Sequence, residues 1–411
     1  MFDSGLIPVQ DYDYPLTEGH IAQFPLARRD ESRLLINRDG IISETIFSHI
    51  DQFLPQGSLL VFNDTKVIRA RLNFRKPTGA PIEIFCLEPL LPLNEIETAF
   101  KQVQQCTWKC LVGNLKRWKS GNLQMVAGGP GREITLDAVL NQDLEDGSFA
   151  INFSWTPPEK SFSEILETAG SVPLPPYIHR KTVPTDATRY QTIYAAHEGS
   201  VAAPTAGLHF TDPVMGLLRE KGFGFAQITL HVGVGTFRPV SVSDIRDHIM
   251  HHERIVISKK NVEQILRHHD RPLIAIGTTA ARALESLYWF GVQIIRGENQ
   301  INPMVQQWEP YRRQNVPLVS TSEALSGLIA FLDRHHLTEL HGETQLMIIP
   351  GYEFKLIHGM ITNFHMPQST LLLLVAAMIG DDWKKAYHYA LQNNFRFLSY
   401  GDSCLFFNRS G

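Results

Sequence analysis

After a buried-strand run at 57–63 (GSLLVFN), five short strand-like runs follow one another with no amphipathic helix between them. They are 81–87 (PIEIFCL), 107–113 (TWKCLVG), 122–127 (NLQMVA), 133–137 (EITLD) and 148–154 (SFAINFS), separated by Gly, Pro and Asn. Parallel strands need long crossovers, so this texture predicts a small antiparallel barrel or sandwich. From about 160 the texture changes. FSEILETAG reads as a short helix closing on Gly170, and PVMGLLREKG as a helix capped by Thr211 with Pro213 in its first turn and Gly222 beyond its end. FAQITLHVG and PLIAIG read as strands; VEQILRHH, AARALESLYWF and TLLLLVAAMIG read as helices. Such alternation predicts α/β architecture. The expected arrangement is a barrel-like α/β main domain built from both chain ends, residues 1–65 and 155–411, with a small antiparallel β-barrel domain inserted at 66–154. Residues 290–340 give weak signals and read as an elaborated excursion.

With 38 basic and 42 acidic side chains the formal charge is −4, so no global field invites a polyanion. A local patch would have to do so. Lys66, Arg69, Arg71, Arg75 and Lys76 form an acid-free basic run, and Lys116, Arg117 and Lys119 a second one in the same β region. A solvated face would account for them, but a basic patch on a small β module in an acidic chain also fits a polyanion, such as a nucleic acid. Cys86, Cys106, Cys110 and Cys404 include no C-x-x-C pair, which argues against a zinc ribbon or disulfide framework. The opening MFDSGLIPVQDYDYPL has early acids and no apolar run, so no signal peptide is expected. The longest apolar run, 371–379, is far short of a membrane span. A cytoplasmic monomer is the expectation.

Four loop segments gather polar groups among small residues. In 200–211 (SVAAPTAGLHFT), Thr205, Gly207, His209 and Phe210 stand just before a helix start, where free N–H groups suit an anion. In 231–239 (HVGVGTFRP), His231, Gly233, Gly235, Thr236, Phe237 and Arg238 follow a strand. A nucleotide-binding glycine turn would open a helix there, and Pro239 forbids that reading. In 276–282 (IGTTAAR), Thr278 and Thr279 suit a helix cap, an anion, or both, with capping the simpler expectation. In 362–370 (TNFHMPQST), Asn363 and His365 precede an apolar helix and need partners if buried. Asn63 and Asp64 stand at a strand end before the basic run. The H-x-x-H-H-E string at 248–253 lacks clean metal-ligand spacing, so no metal site is expected.

Taken in order, these pieces resemble the S-adenosylmethionine:tRNA ribosyltransferase-isomerase family of queuosine biosynthesis. The matching segments run from DYDYPLTEGHIAQFPLARRDESRLL (11–35) through GSLLVFNDTKVIRARL (57–72), GSVAAPTAGLHFT (199–211), TLHVGVGTFRPV (229–240) and IAIGTTAARALES (274–286) to TNFHMPQSTLLLLVAA (362–377) and YGDSCLF (400–406). Residues 89–105 and 290–340 are longer than the family pattern needs. The resemblance implies transfer of the ribosyl part of S-adenosylmethionine to a 7-aminomethyl-7-deazaguanine at the tRNA wobble position. Rearrangement gives epoxyqueuosine, with adenine and methionine leaving. S-Adenosylmethionine is then a consumed cosubstrate, with no bound prosthetic group, and the implied fold is an α/β body with an inserted β-barrel.

That chemistry sets demands. A sulfonium acidifies the neighbouring 5′ CH₂, so a base is needed; His209, His231 and Asp64 are the candidates. Phe210, Phe237 and Tyr352 offer aromatic faces to the sulfonium. Thr278, Thr279 and Arg238 suit the methionine carboxylate. Asn63, Thr205, Gly207, Gly233, Gly235, Thr236, Asn363 and His365 complete the substrate-binding set, and the eight basic residues the tRNA-binding set. Alternatives are an S-adenosylmethionine-dependent RNA methyltransferase, which wants the missing glycine turn and helix, a non-catalytic RNA-binding protein, and a metal hydrolase on the 248–253 string.

Overall fold

The computed structural model describes residues 7–92, 95–131, 133–232, 240–298, 301–312 and 319–408. Ten strands form one mixed sheet in the order Met304–Val305, Glu339–Thr344, Glu253–Ser258, Gly224–His231, Leu59–Asn63, Leu273–Ile276, Gly359–Asn363, Ser403–Phe407, Arg33–Arg38, Ile41–Ile46. The four central strands, from Gly224–His231 to Gly359–Asn363, are mutually parallel. Both chain ends therefore supply the sheet, as expected of the α/β main body. Alternate residues bury on opposite faces. Leu59, Val61, Leu273 and Ala275 enter one core, and Leu60, Phe62, Ile274 and Ile276 the other. Burial on both faces explains why these strands read as continuous apolar runs.

Helices cover the larger core. Thr278–Ile295 lies almost wholly buried, joined by Lys259–Arg267, Thr321–Arg334 and Thr370–Ile379. The 290–340 region is thus not the excursion read from sequence. It contributes a 14-residue helix started by a Ser320–Glu323 capping box, and a strand at the sheet edge. Its pattern was weak because the helix packs through small residues. A Cβ on Gly291 would stand 2.3 Å from the Ala324 carbonyl oxygen, so glycine is what lets the two helices meet. Two of the other helices start on side-chain caps. The Thr211 hydroxyl accepts from Val214 N–H at 3.5 Å, and Phe162–Ala169 carries a Ser161–Glu164 capping box.

The six-stranded antiparallel sheet has the order Arg71–Arg75, Pro81–Leu91, Gln105–Gly113, Phe149–Thr156, Ile134–Asp143, Asn122–Ala127. Period-two burial sends Ile82, Ile84 and Cys86, then Ile151, Phe153 and Trp155, into a separate core closed by Phe162. A two-stranded parallel ribbon, Thr65–Val67 with His197–Ser200, links this unit to the main sheet. No helix among the described residues is long and apolar enough to cross a membrane.

Candidate active site

The carboxyl ends of the parallel strands open into one cavity of about 850 Å³, mouth included. Its position is the edge where open α/β sheets hold ligands. Val232 arrives from Gly224–His231, Gly277 to Thr279 from Leu273–Ile276, and Thr362 to Met366 from Gly359–Asn363. Because Ser403–Phe407 runs antiparallel to Gly359–Asn363, the chain just before it, Leu398 and Ser399, reaches the same edge. Ala202 to Ala206 form the facing wall.

Of the expected binding residues, Thr205, Thr278, Thr279, Asn363 and His365 come together here. Thr205 Oγ1 donates to Asn363 Oδ1 at 2.8 Å. The Thr278–Ile295 helix opens into the cavity with Gly277 at its N-cap (φ +94°) and no side-chain cap. The threonines therefore do not cap it, contrary to the simpler expectation. Thr279 Oγ1 is buried without a hydrogen-bond partner among the described residues. The helix thus brings uncapped N–H groups and a vacant hydroxyl to one wall.

His209 lies behind that wall rather than on it. Its ring joins Ser32 Oγ (2.8 Å, Nδ1) to the Asn363 amide (3.1 Å, Nε2) and lies 5.2 Å from Phe47. Burial lowers its pKa to about 4, so it is neutral at pH 7. His365 lines the cavity with Nε2 2.8 Å from Thr362 Oγ1, and burial takes it to about 3.

A second group of polar residues stands at the ends of Leu59–Asn63 and Gly224–His231. Asp64 accepts from Thr229 Oγ1 at 2.6 Å and lies 3.8 Å from His197 Nε2; burial raises its pKa. His231 Nδ1 is 3.5 Å from Thr65 Oγ1, and burial lowers this ring to about 4. Gly199 (φ +144°) makes room for the imidazole, since a Cβ there would stand 2.6 Å from Nδ1. Asn63 is spent on the fold. Its Oδ1 accepts from Leu230 N–H (3.0 Å) and Thr65 N–H (3.2 Å), and its Nδ2 donates to Leu230 C=O (3.1 Å).

The remaining candidates scatter. The Phe210 ring packs between Phe47 and Phe62 in the core, away from the cavity. Gly207 sits against Tyr194, where a Cβ would clash with the hydroxyl. Tyr352 donates to Glu285 Oε2 at 2.9 Å and accepts from Trp289 Nε1 at 3.1 Å inside the helical core, so it offers no face to a ligand. Gly233, Gly235, Thr236, Phe237 and Arg238 lie outside the described residues.

The basic residues divide. Lys66, Arg69 and Arg71 are paired with Glu198 (2.8 Å), Glu167 (2.8 Å) and Glu83 (3.7 Å). Arg75, Lys76, Lys116, Arg117 and Lys119 have no carboxylate partner among the described residues. Lys76 Nζ donates to the Arg117 carbonyl at 2.9 Å, which draws both clusters to one tip of the six-stranded sheet. In the 248–253 string, His252 faces Glu343 at 3.5 Å and buried Glu253 pairs with buried Arg282. No group of three or more His, Cys, Asp or Glu among the described residues is placed to hold a metal.

Sequence reasoning missed Tyr177 and Ser399, whose hydroxyls meet at 2.6 Å on the cavity wall. It also missed Arg29, Arg189 and Arg396, which surround the far side of His209. Neither set has a local motif.

The family described as Queuosine biosynthesis protein matches residues 9–406. A relative from Halothermothrix orenii, named S-adenosylmethionine:tRNA ribosyltransferase-isomerase, is 39% identical over 97% of this chain and 99% of its own length. One of the same name from Geotalea uraniireducens is 38% identical over 96% and 98%. The crystal structure of S-adenosylmethionine tRNA ribosyltransferase from Thermotoga maritima is 30% identical over 96% of this chain and 99% of that one, with a TM-score of 0.45.

Proposed function

Because this chain belongs to the S-adenosylmethionine:tRNA ribosyltransferase-isomerase family of queuosine biosynthesis, we propose that it carries out that reaction in the cavity at the strand ends. It moves and isomerises the ribosyl group of S-adenosylmethionine onto a 7-aminomethyl-7-deazaguanine in the tRNA wobble position, releasing adenine and methionine. The supporting observation is the cavity wall made by an uncapped 18-residue helix with the unpartnered Thr279 hydroxyl in its first turn. The methionine carboxylate lies against Thr278 and Thr279, where the helix dipole and free amides favour an anion.

The proton work falls to His231 and Asp64. Burial pushes the imidazolium down and the carboxyl up, so the ring is neutral at pH 7 and the carboxylate is a stronger base than an exposed one. His231 takes the proton of the 5′ CH₂ made acidic by the sulfonium. The neutral aminomethyl nitrogen of the RNA then supplies the nucleophile, so the protein needs none. His209 is a positioning residue. Held neutral, it fixes the Asn363 amide, and Asn363 in turn orients Thr205 in the cavity.

The tip carrying Arg75, Lys76, Lys116, Arg117 and Lys119 meets the RNA backbone, and the six-stranded unit, residues 66–154, acts as the RNA-docking domain. Purified protein, S-adenosylmethionine and an anticodon RNA bearing the precursor base test the reaction. Adenine release that requires the RNA, with an RNA mass gain equal to the epoxycyclopentanediol group, is expected. Methylated RNA without adenine release would replace the proposal with a methyltransferase.

A further inference from the structure

On the far side of His209 lies a second, smaller cavity of about 300 Å³, lined by Arg29, Arg189, Ser32, His209 and Tyr400 and sharing Ser399 with the main one. Among the described residues no carboxylate hydrogen-bonds the side chain of Arg29 or Arg189. Arg29 donates to the Gln191 and Thr188 carbonyls, at 2.9 and 3.3 Å. Arg189 donates to the Ala27 and Leu26 carbonyls, and neighbouring Arg396, outside the lining, to the Phe24 carbonyl. Arg189 Nε and Arg396 Nη1 are buried with no partner among the described residues. The two nearby acids are already engaged. Asp186 holds Arg180 through both oxygens at 2.7 Å, and Asp402 takes the backbone N–H groups of Arg33 (3.0 Å) and Arg396 (2.8 Å).

Buried donors without acceptors cost stability unless a ligand completes them. Guanidinium forks suit a planar or tetrahedral oxyanion. The space is too small for a nucleoside, so only the charged oxygens of such a group can reach these donors. We propose that this arginine-lined cavity binds one phosphodiester of the substrate RNA beside the wobble nucleotide, with Arg29 and Arg189 as its ligands. The inference rests on the proposed reaction, because that reaction makes the RNA a substrate. It assigns the phosphate rather than the methionine carboxylate because the uncapped helix already serves the carboxylate, and because RNA carries an anion on each side of the target base. His209 stands between this cavity and Asn363, so the anchored phosphate sits one side chain away from Asn363, and Ser399 borders both cavities.

The test neutralises the RNA, leaving the protein intact. Anticodon RNAs carrying one methylphosphonate at each linkage flanking the wobble nucleotide are titrated against wild-type protein and Arg29→Gln. One linkage is expected to cost wild type about tenfold in Kd, the scale of one charged hydrogen-bonded contact. Arg29→Gln should lose about tenfold on the unmodified RNA, be indifferent to that linkage, and keep its affinity for S-adenosylmethionine. Arg29→Lys, which retains the charge and loses the fork, serves if Arg29→Gln does not fold. The proposal is overturned if no linkage is coupled to Arg29, or if S-adenosylmethionine affinity falls while RNA affinity holds, which would make the site a carboxylate one. Wild-type turnover on unmodified RNA, run alongside, separates the two readings: its absence defeats the reaction, and its presence without coupling defeats only the phosphate site.

Discussion

Replacing Asn63 by Ala should unfold this protein far more readily without touching the cavity. The strand pairing between Leu59–Asn63 and Gly224–His231 ends with Asn63 opposite Ile228. Beyond that point the Asn63 side chain imitates one more peptide group. It accepts from Leu230 N–H, donates to Leu230 C=O, and accepts from Thr65 N–H, all at 0% exposure. Alanine leaves those three backbone groups buried and unpaired. Each orphan costs about 1–3 kcal/mol, so the loss is on the order of 3–6 kcal/mol after partial relaxation. That compares with a total of about 5–15 kcal/mol for a typical domain. Urea unfolding followed by tryptophan emission and circular dichroism would measure it. Thr205→Val is the contrast. It removes one hydrogen bond on the cavity wall, should cost about 1 kcal/mol, and should weaken S-adenosylmethionine instead. An Asn63→Ala protein within about 1 kcal/mol of wild type that loses its cosubstrate would refute the reasoning, because the amide would then be a ligand contact.

Gly199→Ala places a Cβ 2.6 Å from His231 Nδ1. Turnover should fall by about a hundredfold or more, the scale for a displaced general base, while RNA affinity stays within twofold or so; unchanged turnover would remove His231 from the proton-transfer role. His209 and His365 are buried neutral, with folded pKa values of about 4 and about 3 against 6.5 unfolded. Between those limits the unfolded chain binds the extra protons, so stability is full above pH 6.5 and falls as the pH drops towards 4, by about 1.4 kcal/mol per pH unit per ring. Unfolding midpoints from pH 7 to 4.5 would show the slope, and His209→Gln should flatten it; an unaltered slope would mean that other groups dominate.

Elements with a local cause were readable. Five of the six inserted strands announced themselves as short apolar runs between turn residues, and the Thr211 cap by its side chain. Strands Gly359–Asn363 and Ser403–Phe407 were not, because GMITN and SCLFF carry no signal until both neighbours in the sheet are known. The cavity was half legible for the same reason. Thr205, Thr278, Asn363 and His365 could be picked from polar loops, but Asn63 looks the same in sequence whether it serves a substrate or a strand, and Phe210 and Tyr352 look the same whether they face a ligand or a core. Only the partner decides. Arg29, Arg189 and Arg396 become one feature only after three distant loops have met, so nothing local marks them.

The strand Ser403–Phe407 lies between Arg33–Arg38 and Gly359–Asn363, and its contacts reach partners 369 residues away. During synthesis at about 5–20 residues per second, the Arg33–Arg38 strand waits roughly twenty seconds to a minute for its parallel neighbour. The six-stranded unit, with near-neighbour pairings, can condense in that interval. The main sheet keeps an open seam, and Ser399, which borders both cavities, arrives just ahead of the closing strand. A nascent chain halted before residue 403 therefore lacks the strand that joins Arg33–Arg38 to Gly359–Asn363, and its main sheet stays divided at that point.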